Sequence, residues 1–271
     1  MQKENDILFF KIWRNKAILN EVVYHLGLYR ENYKKEFKNI KELSLYMFKD
    51  YITELILIDS DEDDDDPKNY NFKYLSDSIT SLTFNDKFNK QLNKDDLSLK
   101  DSLKIIKFGK FYDKPLGYDI LPKSLTTLKF CNYYDQEILA NYIPSSVTYL
   151  EYTHFSKQKE LLCGIIPSSV CTLKFDDAFN FPLENGFIPN SVTDITFGVA
   201  FNRVLKKGDI PSSCKSIKFG TCYNQPLIPY ESIPLSVSNI HFGLCFSQLI
   251  KPGDIQNGSA KITLEIKKIN K

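Results

Sequence analysis

The chain has 271 residues, of which 42% are hydrophobic, and its 35 basic and 34 acidic residues leave a net charge of +1. The apolar fraction is enough for a buried core, whereas the balanced charge argues against a nucleic-acid binder, which usually carries a basic excess. No apolar run reaches the length of a membrane span and Met1 to Asp6 is too charged for a secretory signal, so we expect a cytoplasmic protein that does not bind membranes.

Residues 1–50 contain no proline and lie outside the periodic pattern described below. Ile18, Val22 and Leu26 have helical spacing, with Gly27 as a plausible stop, and a second helix is predicted over 32–47. This segment is interpreted either as a helical cap on the first coil of the repeat array or as a docking segment for a partner.

The array is predicted to occupy 51–271 and to begin with the strand-like run Tyr51 to Leu57. This run lies 27 residues before the next unit, about five more than the usual spacing. The excess coincides with the acidic residues 59–66, which we interpret as a solvated loop extruded from the first coil. A calcium-binding loop would need alternating ligands and a central glycine, and this run has neither.

A motif of the form Ile-Pro-x-Ser-Val recurs along the chain, as in Ile143–Val147, Ile166–Val170 and Ile188–Val192. Its fifth position recurs every 22 to 24 residues. The nine residues at this position are Ile79, Leu103, Leu125, Val147, Val170, Val192, Cys214, Val237 and Ser259. A period of this length predicts a solenoid, in which each unit buries its apolar face against its neighbours.

Within one unit, Val192, Ile195 and Phe197 occupy places 1, 4 and 6 of a strand, which is the pattern of a leucine-rich repeat. A glycine two residues before the unit's isoleucine, such as Gly186, suits a turn with positive φ. We therefore predict an α+β repeat solenoid, a curved leucine-rich-repeat-like stack of about nine coils. One parallel β-sheet runs through it, and a helical cap covers the N-terminal end.

These units resemble the FNIP repeat family, named for its Phe-Asn and Ile-Pro elements. The fullest matches are Phe197–Asn202 and Phe219–Leu227, whereas Asp135 stands in place of Asn and Glu137 in place of Pro. The resemblance implies a non-catalytic protein-interaction scaffold. It also makes an F-box-like segment an alternative for residues 1–50, because some members are described with one there. The chain would then be a substrate adaptor of a ubiquitin ligase.

Enzymatic chemistry has little support in the sequence. The histidines His25, His154 and His241 belong to different elements, and no Cys-x-x-Cys pair or phosphate-binding loop is present. We expect no catalytic residue, no metal site and no cofactor. Cys222 and Cys245 share the ninth place of successive units, which we interpret as a small buried position, with a redox pair as the alternative.

Strand places 3 and 5 point away from the core, so the solenoid should carry them as columns on its inner face, with neighbouring strands ~4.8 Å apart. The columns are mildly basic, with Tyr149 beside Glu151 at their centre. The lysines of these columns either only keep an exposed sheet soluble or form a shallow surface for an acidic or extended segment of another protein. We expect the chain itself to be a monomer. The candidate partner-binding residues are Lys107, Lys129, Tyr149, Glu151, Lys174, Lys218 and His241.

Overall fold

The computed structural model describes residues 15–58, 71–97, 100–131, 133–153 and 163–265. In this part of the chain, eleven strands form one parallel sheet in which each strand pairs with the next in sequence. The strands are β1 (Lys34–Phe37), β2 (Glu54–Leu57), β3 (Ser81–Phe84), β4 (Ile105–Lys107), β5 (Thr127–Lys129), β6 (Tyr149–Tyr152), β7 (Thr172–Phe175), β8 (Asp194–Thr196), β9 (Ser216–Lys218), β10 (Asn239–Phe242) and β11 (Lys261–Leu264). The predicted fold class is confirmed, and the nine periodic units correspond to β3–β11.

Among the described residues, two α-helices and two 3₁₀ turns lie at the N-terminal end. Helix α1 spans Lys16–Asn32 and α2 spans Ile40–Leu45, and the 3₁₀ turns span Lys49–Tyr51 and Phe72–Tyr74. The remaining coils return from one strand to the next through turns and extended segments. No helix in the described ranges is long and apolar enough to cross a bilayer.

The core is built from columns of identical places in successive coils. Val147, Val170, Val192 and Val237 are fully buried, as the period predicted. The place-6 rings of Phe175, Phe197, Phe219 and Phe242 stack face to face, with successive centroids 5.3, 5.5 and 5.2 Å apart. Each coil therefore covers the rings of its neighbour, which is why one repeat is not stable alone.

The turns before the Ile-Pro motif adopt positive φ, as predicted. Gly186 and Gly208 have φ of 82° and 91°, and Asn141 takes the same place in an earlier coil with φ of 68°. Asparagine tolerates this region better than most residues with a side chain. The turn conformation therefore favours glycine here, and at Gly208 an added Cβ would also lie 2.7 Å from the side-chain oxygen of Asn185.

Polar side chains form two ladders of hydrogen bonds between successive coils, and neither ladder was predicted from the sequence. The serine of each Ile-Pro-x-Ser motif donates its hydroxyl to a carbonyl of the preceding coil, as Ser191 does to Val170 and Ser213 to Val192, at 2.7 and 2.8 Å. On the opposite side of the coil, the Asn202 side chain accepts the Asn224 N–H at 2.9 Å. These bonds satisfy backbone groups that the short strands leave unpaired.

Only part of the helix predicted over 32–47 forms, as α2, and the stop predicted at Gly27 is wrong. Helix α1 continues through Gly27 to Asn32, and the chain then forms strand β1, which pairs with β2 in parallel register. The edge of β2 offers ladder hydrogen bonds, and Phe37, Ile40 and Leu43 are buried in the coil that β1 opens. Part of residues 1–50 thus extends the sheet.

The ninth place of the unit is not the buried position that was predicted. Cys222 and Cys245 are exposed free thiols, because this residue lies in the turn after the strand. Its N–H donates to the preceding coil, from Cys222 to Val199 and from Cys245 to Thr221, both at 3.0 Å, while the side chain points outward. Residues 59–66 and His154 lie outside the described residues.

Candidate partner-binding surface on the inner face

The sheet register brings the predicted surface residues into two neighbouring columns. At place 5, Lys107 pairs in register with Lys129, Lys129 with Glu151, and Glu151 with Lys174. Farther along the same column, Lys218 lies beside His241. At place 3, Tyr149 lies between Thr127 and Thr172. The face is thus a continuous array of side chains held on a hydrogen-bonded sheet.

Glu151 is the centre of a four-residue cluster on this face. Its Oε1 lies 2.7 Å from Lys129 Nζ and 3.7 Å from Lys174 Nζ, and it accepts the Tyr149 hydroxyl at 2.8 Å. Lys129 Nζ also lies 5.0 Å from the centre of the Tyr149 ring, in a cation–π contact. The side chains of Lys129 and Glu151 are 30% and 23% exposed, so the pair is partly shielded from water.

The cluster shifts the pKa of its acidic groups in opposite directions. Burial raises the pKa of the Glu151 carboxyl, but hydrogen bonds from Lys129 and Tyr149 and the nearby charge of Lys174 outweigh it, so the net pKa is lowered. Burial and the Glu151 carboxylate raise the pKa of Tyr149 to about 12. At neutral pH the cluster therefore contains a carboxylate at Glu151 and a protonated phenol at Tyr149.

This arrangement changes the electrostatics expected from the sequence. Glu151 engages Lys129 and Lys174, so the centre of the face is less basic than its lysine count suggests. Within the described residues, Lys107 and Lys218 have no carboxylate ion pair, and they lie on either side of the cluster. Basic charge is therefore available on the flanks of Tyr149 and not at the centre.

The substitution Glu151→Gln is expected to destabilise the fold modestly at neutral pH, by about 1 kcal/mol, because Lys129, Lys174 and Tyr149 lose the negative charge of their partner while one neutral acceptor oxygen remains. A carboxyl with a lowered pKa stabilises the native state above its ordinary pKa of 4.5, and this contribution is lost as the pH falls through the folded value. The difference in melting temperature between wild type and variant should therefore be present at pH 7 and shrink on acidification below pH ~4. A difference that stays constant with pH would contradict the role of the charge.

Two further surfaces lie outside the inner face, and the first of them was not predicted. Between the Ile-Pro turns a groove of about 730 Å³ is lined by Pro144, Pro167 and Pro189, and it adjoins another of about 510 Å³ that shares Pro189. The repeated prolines were the available signal, but a sequence does not show that successive turns leave space between them. Both grooves are open and shallow.

Helix α1 presents the other surface. Ile18, Val22 and Leu26 are 41%, 37% and 59% exposed, and Asn32 is the buried residue of the helix. The spacing predicted an apolar face, and in the described structure that face does not pack on the first coil. An exposed apolar stripe of this kind is typical of a binding surface.

The two histidines among the described residues lie on different elements. His25 lies on α1, which precedes the first strand, and His241 lies on β10, the tenth of eleven strands. No group of three or more His, Cys, Asp or Glu side chains in the described ranges is placed to hold a metal ion.

Comparison with known proteins agrees with the repeat assignment. The FNIP Repeat family matches residues 95–133, 112–152, 158–199 and 201–245, which together cover more than half of the chain. An FNIP repeat-containing protein of Dictyostelium discoideum is 30% identical over 44% of this chain. The match covers 29% of that relative, so the chain spans under a third of its length.

A solved structure has the same architecture. CroV588, described as a circular LRR protein, matches 71% of this chain and 31% of its own chain, with 29% sequence identity and a TM-score of 0.57. The resemblance supports a leucine-rich-repeat-like coil for the units described here.

Proposed function

This chain belongs to the FNIP repeat family, and from that premise we propose that it is a non-catalytic scaffold that binds another protein on the inner face of its sheet. The observation that carries the proposal is the ordered pair of columns at strand places 3 and 5, which runs without interruption from β4 to β10. Repeat solenoids commonly use an extended concave surface of this kind for binding.

The chemistry of the face favours an extended segment with acidic side chains. Tyr149 is held by Glu151 and by Lys129, so its ring is ordered before a partner arrives and little side-chain entropy is lost on binding. Lys107 and Lys218 flank it and carry the positive charge that would attract carboxylates. Aromatic and basic side chains of this kind frequently dominate interface energies.

The experiment compares charge reversals on the face with matched reversals elsewhere. A partner identified by affinity purification is titrated against the wild type and against the pair Lys107→Glu and Lys218→Glu. We expect at least tenfold weaker binding and a reduced salt dependence, because the reversed groups no longer attract an acidic segment. Lys94→Glu with Lys207→Glu is the control, since both lysines are exposed outside the sheet strands. Equal binding by both pairs would contradict the inner-face assignment.

A second candidate function is supported by the exposed face of α1. The substrate adaptor of a ubiquitin ligase would dock the ligase through this helix while the sheet holds the substrate. In the same capture experiment, Val22→Glu with Leu26→Glu would remove one partner and leave the melting temperature unchanged, because both side chains are solvent-exposed. Loss of thermal stability without loss of a partner would favour the cap instead.

A further inference from the structure

Strand β11 is the outermost strand of the described sheet, and it is exposed along its whole length. Ile262 and Leu264 continue the core columns of Ile240 and Phe242, which are buried. Ile262 and Leu264 themselves are 43% and 52% exposed. Two apolar side chains of core type are therefore left uncovered at this edge.

The backbone of β11 is open at the same edge. Lys261 and Glu265 donate their N–H groups toward β10, to Ser238 and Phe242, at 2.8 and 3.0 Å. Because neighbouring residues of a strand point their N–H and C=O groups to opposite sides, those of Ile262 and Leu264 face outward. Within the described residues no strand pairs with them.

The opposite end of the sheet differs. In β1 the place that aligns with the buried Leu55 is occupied by Lys35. A charged residue in a core column is one of the devices that prevent edge-to-edge pairing of strands. Strand β11 has no such charge in its core column, so the two ends of the sheet are not equivalent.

We propose that two copies of this chain associate through β11, with the two strands antiparallel about a two-fold axis at Thr263. In this register Ile262 of one copy lies opposite Leu264 of the second, and Lys261 lies opposite Glu265, each pair occurring twice. The core columns then continue from one copy into the other, and the charged pairs lie on the inner face.

The register follows from three independent requirements. Outward-facing backbone groups must meet each other, which places Ile262 and Leu264 at the hydrogen-bonded pairs and Thr263 at a non-hydrogen-bonded pair. The apolar side chains of both strands must lie on the same face of the sheet, and a shift of one residue would place those of one strand opposite residues that point to the other face. A shift of the partner by two residues in either direction separates Lys261 from Glu265, so one register satisfies all three requirements.

The carboxylate of Glu265 can take part without losing its present contact. Its Oε1 lies 3.4 Å from His241 Nε2 in the same chain, and its second oxygen remains to accept from Lys261 of the second copy. Opposite charges directly across an antiparallel pair are stabilising, and like charges are destabilising. The sequence had led us to expect a monomer, and this edge is the reason to revise that expectation.

The mass in solution tests the association. The full chain is 31.4 kDa, and sedimentation of the wild type over a series of concentrations should show a monomer–dimer equilibrium. We expect Ile262→Lys to weaken the dimer at least tenfold, whereas Leu249→Lys, at an exposed position away from β11, should leave it unchanged. A wild-type chain that stays monomeric up to millimolar concentration would overturn the proposal, and so would a dimer that Ile262→Lys does not affect.

Charge exchange and cross-linking test the register. Lys261→Glu alone and Glu265→Lys alone should each weaken the dimer, and the two together should restore it. Thr263→Cys should form a disulfide between copies on oxidation, because the Cα atoms of a non-hydrogen-bonded pair are ~4.5 Å apart, within disulfide reach. Lys261→Cys should not, since the two 261 positions are far apart in this register. Failure of the double exchange to restore the dimer, or equal cross-linking of both cysteine variants, would reject the two-fold pairing.

Discussion

Replacement of Val192 by aspartate is expected to unfold the central coils of the array. Val192 is fully buried in a column that also contains Val170 and Cys214, and an aspartate there would lose the apolar contacts of valine and place an unpaired carboxyl in the dry core. Together these costs exceed about 4 kcal/mol, a large share of the 5–15 kcal/mol that separates folded from unfolded domains. The measurement is thermal unfolding followed by circular dichroism.

The control for this variant is the same substitution at an exposed valine. Val204→Asp lies in a return segment and should change the melting temperature by no more than a few degrees. If Val192→Asp melted as close to the wild type as this control, the stacking of the first strand place into one buried column would be wrong.

Replacement of Gly198 by alanine is expected to force two coils apart. An added Cβ would lie 1.7 Å from the carbonyl oxygen of Asp176 and 2.3 Å from its carbonyl carbon. Backbone atoms cannot move aside as a flexible side chain can, because strands β7 and β8 are paired in register beside this contact. We expect a loss of about 3 kcal/mol or more, from overpacking and weakened ladder hydrogen bonds.

The matched control is Gly258→Ala, because no atom lies within 4 Å of the Cβ that it would add. Thermal unfolding of both variants should separate them by roughly 6 to 12 °C at the size of this array. Other coils have Cys131 and Asp176 at the place of Gly198. The need for glycine at this place therefore depends on the neighbouring coils and is not a property of every repeat. Equal melting of the two variants would mean that the coils can separate at little cost.

Much of the fold could be predicted because every coil repeats the same burial. The spacing of Val147, Val170 and Val192 determines which side chains share a column, and adjacency on the inner face follows from the same period. The neighbours of Glu151 were therefore predictable, since Lys129 and Lys174 are one coil away on either side. The prediction did not extend to which charges neutralise each other, because that depends on side-chain conformations across the sheet.

The predictions that failed concern the segment before the periodic units and one turn position within them. Ile40 and Leu43 lie in helix α2, as their spacing predicted, but residues 34–37 pair with the free edge of β2 as a strand. Ladder hydrogen bonds and burial of Phe37 there outweigh a weak local preference for helix. Cys222 was assigned to the core because its place in the unit holds small residues, whereas those residues lie in an outward-facing turn.

The sequence by itself determined the solenoid, its period, its buried columns and its positive-φ turns, because these depend on contacts that recur identically from coil to coil. Only the tertiary structure decided the added strand β1, the exposed face of α1, the pairing of Glu151 and the open edge of β11. Each of these depends on which surfaces meet, or fail to meet, at one particular place, and a repeating pattern carries no information about a place that occurs once.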